Sequence, residues 1–441
     1  MKFSIYNHVV HLEDGIYVYN ALYSQAVKIR KKKNIEYFKR ILDLNVMHKQ
    51  NKLVKYLYEN NYIVDNDVDE FSIAKEKVCS VYNDSGLFIM LYVTNQCNFR
   101  CVYCPQEHES KVFSDEYWNA LYHFIEKKLQ TNLYKDVHIS FFGGEPLLEV
   151  NAIIDFLERL KTLKEVYPEV AFRHNMTTNG YLLTPGIYDK LVSLDVVWYQ
   201  ITLDGLAKTH NKTRPRVDGA ETWDKIIENI TYINRKYDGT CVWIRANLGL
   251  ENHDSIKELF EWFDKKFFNS KFVYFIYGVS AFTSKVDKTM TVSNFGQTYA
   301  DFLDNVMLKY KKYRTRKYSD LSLRFLSLAC KCASSEFYAI RADGKVANCE
   351  QAYDEKDTTI GYLSKNGEVV ITTDNPRVEE YETEECETCN FYPLCGARAC
   401  PDKFKKSTSE RQDCYLNKGD YLKNFVQKNI LYFSDFTTNY D

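Results

Sequence analysis

The sequence predicts an α/β protein built on an open, partial barrel of six strand–helix units, (β/α)6. Three observations lead there. Apolar runs alternate with amphipathic stretches from about residue 87 to residue 278. The apolar runs are near-continuous rather than alternating, as in strands covered on both faces. The alternation is also flanked by two segments of different character, one short and mixed, the other rich in cysteine. Strand–helix units repeated at this spacing imply a parallel sheet. Such a barrel carries its site at the C-terminal ends of its strands.

Residues 1–85 read as a separate small unit. Val9–Tyr19 holds an Asp14-Gly15 turn between β-rich runs, which signals a hairpin. Ile35, Phe38, Ile41 and Leu42 fall at helical spacing, as do Leu53, Val54, Leu57 and Tyr58. Asn60-Asn61 then leads into a short strand, Tyr62-Ile63-Val64. Hairpin, helices and wing-like strand together resemble a winged helix, an α+β unit. The acidic stretch Asp65–Glu70 is expected to be a linker.

Residues 86–320 form the barrel. Its strands are expected at Leu87–Val93, Val137–Phe142, Ala171–Thr177, Val196–Leu203, Cys241–Leu250 and Phe272–Gly278. Helices are expected between them at Asp115–Leu129, Asn151–Leu163, Trp223–Arg235 and Ser255–Phe267, with a long one over about 293–317. Residues 321–420 are cysteine-rich with many turn residues and are expected to fold around metals. A helical tail follows over 421–441.

With 45% apolar residues in 441, the chain can bury a large core. A net charge of −2 gives no global field for nucleic acid or an anionic membrane. The start MKFSIYNHVV is not a signal peptide, and Leu87–Val93 is far short of the roughly 20 residues that a membrane helix needs. A soluble, cytoplasmic protein is expected. Its thirteen cysteines would then stay reduced, so their clustering argues for metal or catalysis rather than disulfides. Cys79 and Cys241 stand apart and are expected to be buried small hydrophobes.

Cys97, Cys101 and Cys104 follow the first barrel strand with the spacing C-x3-C-x2-C. Three thiolates hold three irons of a [4Fe–4S] cube and leave the fourth iron open. Structural zinc wants four ligands, and no fourth sits nearby. This motif, placed after the first strand of a βα series, resembles the radical S-adenosylmethionine (SAM) superfamily. The resemblance implies that the open iron is chelated by the amino and carboxylate groups of SAM. It also implies that an electron from the cluster cleaves the sulfonium, and that the 5′-deoxyadenosyl radical abstracts a substrate hydrogen.

Further motifs match in order. Tyr103, before the last cysteine, is implied to lie by the adenine. Gly143-Gly144-Glu145-Pro146 ends the second strand and resembles the motif that meets the SAM amino group. A glycine pair permits close backbone approach, and a carboxylate suits an ammonium. Thr178 and Asn179 end the third strand, and Thr202 and Asp204 the fourth; the resemblance gives them polar contacts to SAM. Arg214 follows in His210-Asn-Lys-Thr-Arg214, as a ligand contact or as part of a solvated basic loop. Asn247 is a weaker candidate, late in the fifth strand.

Eight cysteines remain in the C-terminal region: Cys330, Cys332, Cys349, Cys386, Cys389, Cys395, Cys400 and Cys414. Eight thiolates suit two fully ligated [4Fe–4S] clusters, and the rival reading is a pair of zinc ribbons. Their order resembles a SPASM domain, although four residues rather than the usual three separate Cys395 from Cys400. The resemblance assigns Cys386, Cys389, Cys395 and Cys414 to an outer auxiliary cluster. It assigns Cys349 and Cys400 to an inner one, completed by Cys330 and Cys332 or left with an open iron. The cofactors implied are SAM and three [4Fe–4S] clusters.

SPASM enzymes are similar to peptide maturases or to anaerobic sulfatase maturases. The N-terminal unit resembles the PqqD-like element that binds leader peptides of ribosomal natural products, and it offers an edge strand for β-augmentation. This implies a cross-linking maturase, making a thioether or carbon–carbon bond in a ribosomal precursor peptide. Its electron donor would be a flavodoxin or ferredoxin. Glu350, after Cys349, is the candidate base or else a solvated glutamate. The alternatives are oxidation of a protein Cys or Ser to formylglycine, or a non-catalytic peptide-binding or electron-transfer scaffold. A nucleic-acid-binding winged helix is encouraged only by Arg30-Lys-Lys-Lys33, and such runs are usually solvated. Neither nucleic acid nor membrane is expected as a partner.

Overall fold

The computed structural model describes residues 1–82, 86–236, 239–248, 253–267, 273–278, 332, 334, 336–347, 349, 359–373, 384–395 and 438–440. They fall into two compact units. One is drawn from 1–82, 332, 334, 384–395 and 438–440; the other comes from the described residues of 86–278 and 336–373. The long helix expected near 293–317 lies outside the described residues.

In the first unit, β1 (Lys2–Phe3) is followed by a meander of β2 (Asn7–Leu12), β3 (Gly15–Asn20) and β4 (Gln25–Ile29). Then come α1 (Lys32–Leu44), α2 (Lys52–Glu59), β5 (Ile63–Val64) and α3 (Glu70–Tyr82). The hairpin turns at Glu13-Asp14, one position before the expected Asp14-Gly15, and Gly15 opens β3 opposite Leu12 at φ +148°. Asn45 stops α1 in the left-handed conformation, and the Asn51 side chain caps α2 by accepting from the backbone of Leu53 and Val54. β3 is buried along its whole length. Its Ile16 and Val18 pack with Phe38, Ile41, Leu53 and Leu57 of the helices. Tyr17 and Tyr19 belong to a second cluster with Ala74 and Val78 of α3 and with Tyr392.

Two expectations are corrected here. The acidic stretch is no linker, because Glu70 opens α3 and is buried, accepting hydrogen bonds from the Ser4 hydroxyl and the Ile5 N–H. The tail is not helical throughout: Thr438–Tyr440 forms a strand beside β4.

The second unit carries a ten-stranded sheet. Six strands lie in chain order: β6 (Gly86–Thr94), β7 (Asp136–Gly143), β8 (Ala171–Thr178), β9 (Val196–Thr202), β10 (Cys241–Leu248) and β11 (Val273–Gly278). All five pairings among them are parallel. The connecting helices are α4 (Asp115–Gln130), α5 (Val150–Val166), α6 (Pro185–Val192), α7 (Ala207–Thr213), α8 (Trp223–Lys236) and α9 (His253–Lys266). α4 shows why these stretches are helical: Ser114 caps it, acids sit in its first turn and lysines in its last. Beyond β6 the sheet continues through β12 (Phe337–Ile340), β13 (Lys345–Ala347), β14 (Thr359–Leu363) and β15 (Val369–Ile371). β12 is parallel to β6, and the rest are antiparallel.

The main core lies between sheet and helices. It takes Val137, Ile139 and Phe141 from β7, Phe172 and Met176 from β8, Tyr199 and Ile201 from β9, and Val242 and Ile244 from β10. Side chains alternate along a strand. His138, Ser140, Asn175, Gln200, Arg245 and Asn247 therefore occupy the opposite, inner face. Cys241, expected to be buried, is only half-buried. Among the described residues no helix is long and apolar enough to cross a membrane.

Candidate functional site

The site forms where β6 to β10 end. The loop after β6 carries Cys97, Cys101 and Cys104 and is pinned from two sides. On one side the segment after α7 holds it: Arg100 N–H donates to Pro215 O (2.8 Å) and Val102 N–H to Thr213 O (3.0 Å), while Phe99 bridges to Arg216. On the other side lies the end of β7. There Gly144 N–H donates to Thr94 O and Glu145 N–H to Gln96 O, both at 2.8 Å. A Cβ on Gly143 would overlap Thr94 O, and one on Gly144 would overlap Gln96 O. The close backbone approach read from the glycine pair is thus to the cysteine loop itself.

Glu145 is fully buried. Its Oε1 accepts from Thr178 Oγ1 (2.7 Å) and Leu147 N–H (3.1 Å), and its Oε2 from Asn179 N–H (2.7 Å). Pro146 starts the short 3-10 turn that follows. Asn179 Nδ2 reaches back to Asn98 Oδ1 in the cysteine loop (2.8 Å). Burial pushes the Glu145 carboxyl up from its ordinary pKa, against these donors.

A second buried network lies beside it. The Tyr103 hydroxyl donates to Asp204 Oδ2 and accepts from Asn247 Nδ2 (2.8 Å) and Arg214 Nη1 (3.3 Å). Asp204 Oδ1 accepts the Asn247 N–H (2.8 Å), and Arg214 Nη1 lies 3.8 Å from Asp204 Oδ2. Arg214 is buried, so it is no solvated loop residue; its Nε has no hydrogen-bond partner among the described residues. Burial opposes its charge, but Tyr103, Cys101 and Asp204 outweigh that and hold it ionised. Thr202 is buried at the end of β9, beside this network in sequence. Sequence reading ranked Asn247 low and missed Asn98; their only signals were a late strand position and adjacency to Cys97.

These residues fit the groups that the motif implies. Burial raises the Cys97 thiol to about 12 and the Cys101 thiol to about 11, so binding iron would release protons. Among the described residues no three Cys, His, Asp or Glu side chains converge on one ion. Cluster corners spread their thiolates more widely than a single-metal site does. Glu145 has no ion-pair partner among the described residues, so a buried carboxylate there awaits a cation such as an ammonium.

Of the C-terminal cysteines, Cys332 and Cys349 are buried. Cys386 and Cys389 are half-buried in a turn, packed against the Tyr6, Tyr17 and Tyr19 cluster. Cys395 ends the short helix Tyr392–Cys395. Cys330, Cys400, Cys414 and Glu350 lie outside the described residues.

Residues 91–263 match the family model of the radical SAM superfamily. This stretch therefore carries a radical SAM domain, which implies SAM and a [4Fe–4S] cluster. It is 24% identical over 369 residues to a cysteine-type anaerobic sulfatase-maturating enzyme of Clostridium novyi, covering 76% of this chain and 93% of that protein. It is 26% identical over 228 residues to the radical SAM cyclopropyl synthase TigE of Paramaledivibacter caminithermalis, covering 47% of each. Among solved structures, anSMEcpe with bound AdoMet and the Cp18Cys peptide aligns with TM-score 0.58 at 18% identity, covering 79% of this chain and 97% of that one. Streptococcus suis SuiB bound to its precursor peptide SuiA aligns with TM-score 0.51 at 15% identity, covering 92% and 97%. At these identities the structural likeness establishes the fold.

Proposed function

We propose that this enzyme is a maturase that cross-links a ribosomally made precursor peptide through a thioether or carbon–carbon bond. The observation that carries the chemistry is the three-cysteine loop clamped beside buried Glu145 at the strand ends. SAM and its cluster, when bound, supply a 5′-deoxyadenosyl radical that removes a substrate hydrogen. Cys97, Cys101 and Cys104 hold the cluster. Glu145 receives the ammonium of SAM, and Thr178, Asn179 and Thr202 line its polar end. The Tyr103–Asp204–Arg214–Asn247 network fixes the loop.

The inner-face groups Ser140, Asn175, Gln200 and Arg245 suit a peptide, whose backbone needs hydrogen-bond partners once desolvated. The N-terminal unit supports a peptide substrate, because it has a strand meander, helices and a sheet edge at β2. SuiB, which binds SuiA, aligns over 92% of the chain, as a partner with such a unit would. The eight C-terminal cysteines would hold two auxiliary clusters, which would supply an acceptor for the electron left over when the new bond forms. Glu350 is the proposed base, and a flavodoxin or ferredoxin is the proposed donor.

Similarity to the Clostridium novyi enzyme favours a second reading, oxidation of a protein Cys or Ser to formylglycine. One experiment separates the two. The protein is reconstituted anaerobically, its iron and sulfide are counted, and it is given dithionite, SAM and any short peptide encoded beside its gene. About twelve irons, 5′-deoxyadenosine and a peptide lighter by two hydrogens with no aldehyde support the cross-linking reading. An aldehyde that reacts with hydrazide establishes the second. About four irons refute the auxiliary clusters.

A further inference from the structure

The sheet of the N-terminal unit is completed by a strand from far along the chain. β16 (Thr438–Tyr440) runs parallel to β4, with Thr438 opposite Val27, Asn439 opposite Lys28 and Tyr440 opposite Ile29. Tyr440 packs against the cluster under α1 and α2, its ring centroid 4.8 Å from that of Tyr56. An edge strand presents a row of unpaired N–H and C=O groups that any extended chain can pair with. Here β4 is such an edge, and three residues of the protein itself cover it. Three residues in parallel register form a short ladder, of the weaker pairing type.

The surroundings describe what else would fit. Arg30, Lys31, Lys32 and Lys33 follow β4 directly and are all exposed. A strand parallel to β4 runs toward them, and in the sequence Asp441 follows Tyr440. The edge therefore suits an extended segment with an aromatic side chain for Tyr56 and acidic residues after it.

We propose that β16 is a built-in competitor: Thr438–Tyr440 occupies the β4 edge until an extended peptide with an aromatic residue followed by acids displaces it. The identification of that peptide with the enzyme's substrate rests on the function proposed above; the occupancy of the edge does not. A maturase so built would admit only peptides that outcompete its own strand, which sets a specificity threshold before any chemistry.

The probe is a fluorescent synthetic peptide of residues 434–441, titrated by anisotropy into the reconstituted full chain and into a variant lacking those residues. The peptide is expected to bind the shortened chain and to bind the full chain at least about tenfold more weakly. The same peptide carrying Tyr440→Ala should bind the shortened chain about tenfold more weakly than the parent peptide. Equal affinity for the two chains, or no binding to a shortened chain with an unchanged circular dichroism spectrum, overturns the proposal.

If the shortened chain does not fold, the full-length Tyr440→Ala variant decides. Faster amide exchange over residues 25–29 together with tighter peptide binding supports the competitor, and unchanged values overturn it. Neither assay requires turnover. Loss of peptide modification with displacement intact would count against the function proposed above alone.

Discussion

Glu145 is a fully buried carboxylate held by three protein donors, with no ion-pair partner among the described residues. Replacing it by Gln keeps the shape but removes the charge that an ammonium needs. Charge-assisted hydrogen bonds are worth about 1.5–3 kcal/mol, so Glu145→Gln is expected to weaken SAM binding by about 10–100-fold. Equilibrium dialysis and iron analysis check it: unchanged iron with lost SAM binding supports the assigned role, and unchanged SAM binding refutes it. Cys97→Ala is expected to abolish 5′-deoxyadenosine production and to remove about four irons, and residual SAM cleavage would refute the cluster assignment.

His174 gives a prediction of another kind. It is buried, and burial lowers its pKa from 6.5 to about 3. Its stabilising effect is complete above the unfolded value and is lost as pH falls from about 6.5 toward 3, because unfolding then takes up a proton. At pH 5 the loss is about 2 kcal/mol. Urea unfolding at pH 7.5 and pH 5 should show a drop that shrinks in His174→Phe.

At this scale the sequence was informative about identity and poor about pairing. Each of Tyr103, Glu145, Asp204 and Arg214 was recognisable from its motif. Nothing along the chain says that Tyr103 meets an asparagine 144 positions away, or that Arg214 is buried. Those facts depend on how the strand ends converge.

The cysteine loop is an element positioned by two others, the turn at the end of β7 and the segment after α7. Gly144 is where the first of these comes closest. Gly144→Ala would push Cβ into Gln96 O, and overpacking of this kind costs about 1–3 kcal/mol. Because the displaced backbone is the entry to Cys97, the expected result is loss of iron out of proportion to loss of helicity. Full iron content in a normally folded Gly144→Ala protein would show that the clamp is unimportant.

The six barrel strands were legible because each sets a row of apolar residues toward the helices, such as Val137, Ile139 and Phe141 of β7. Their ends were read to within a few residues. β4, α6 and α7 escaped the reading, since short polar elements carry little periodicity. α3 escaped it as well, because Asp65, Asp67, Asp69 and Glu70 at its entry look like solvated linker; only the fold shows Glu70 turned inward to Ser4.

At the scale of the whole molecule, compactness does not follow chain order. Residues 384–395 pack on the N-terminal meander and on α3, with Phe391 4.6 Å from His8 and Tyr392 4.7 Å from Phe71 between ring centroids. Deleting residues 1–82 would therefore strip the apolar cover from Cys386 and Cys389. The expected result is loss of about four irons, with SAM cleavage at the Cys97 site retained. Iron counting on the truncated protein checks it, and undiminished iron would separate the N-terminal unit from the proposed outer cluster.

The same packing has a consequence for how the protein is made. His8 and the Asn390 carbonyl that it contacts are 382 positions apart in sequence. At translation rates of about 5–20 residues per second, the meander would wait about 20–80 seconds for the residues that cover it. Throughout that interval the patch around His8 and Phe71 that residues 384–395 cover, and the rim of β4, would stand bare on the ribosome. Such surfaces attract chaperones and invite aggregation, and iron delivery to the late cysteines would have to wait until synthesis had passed them.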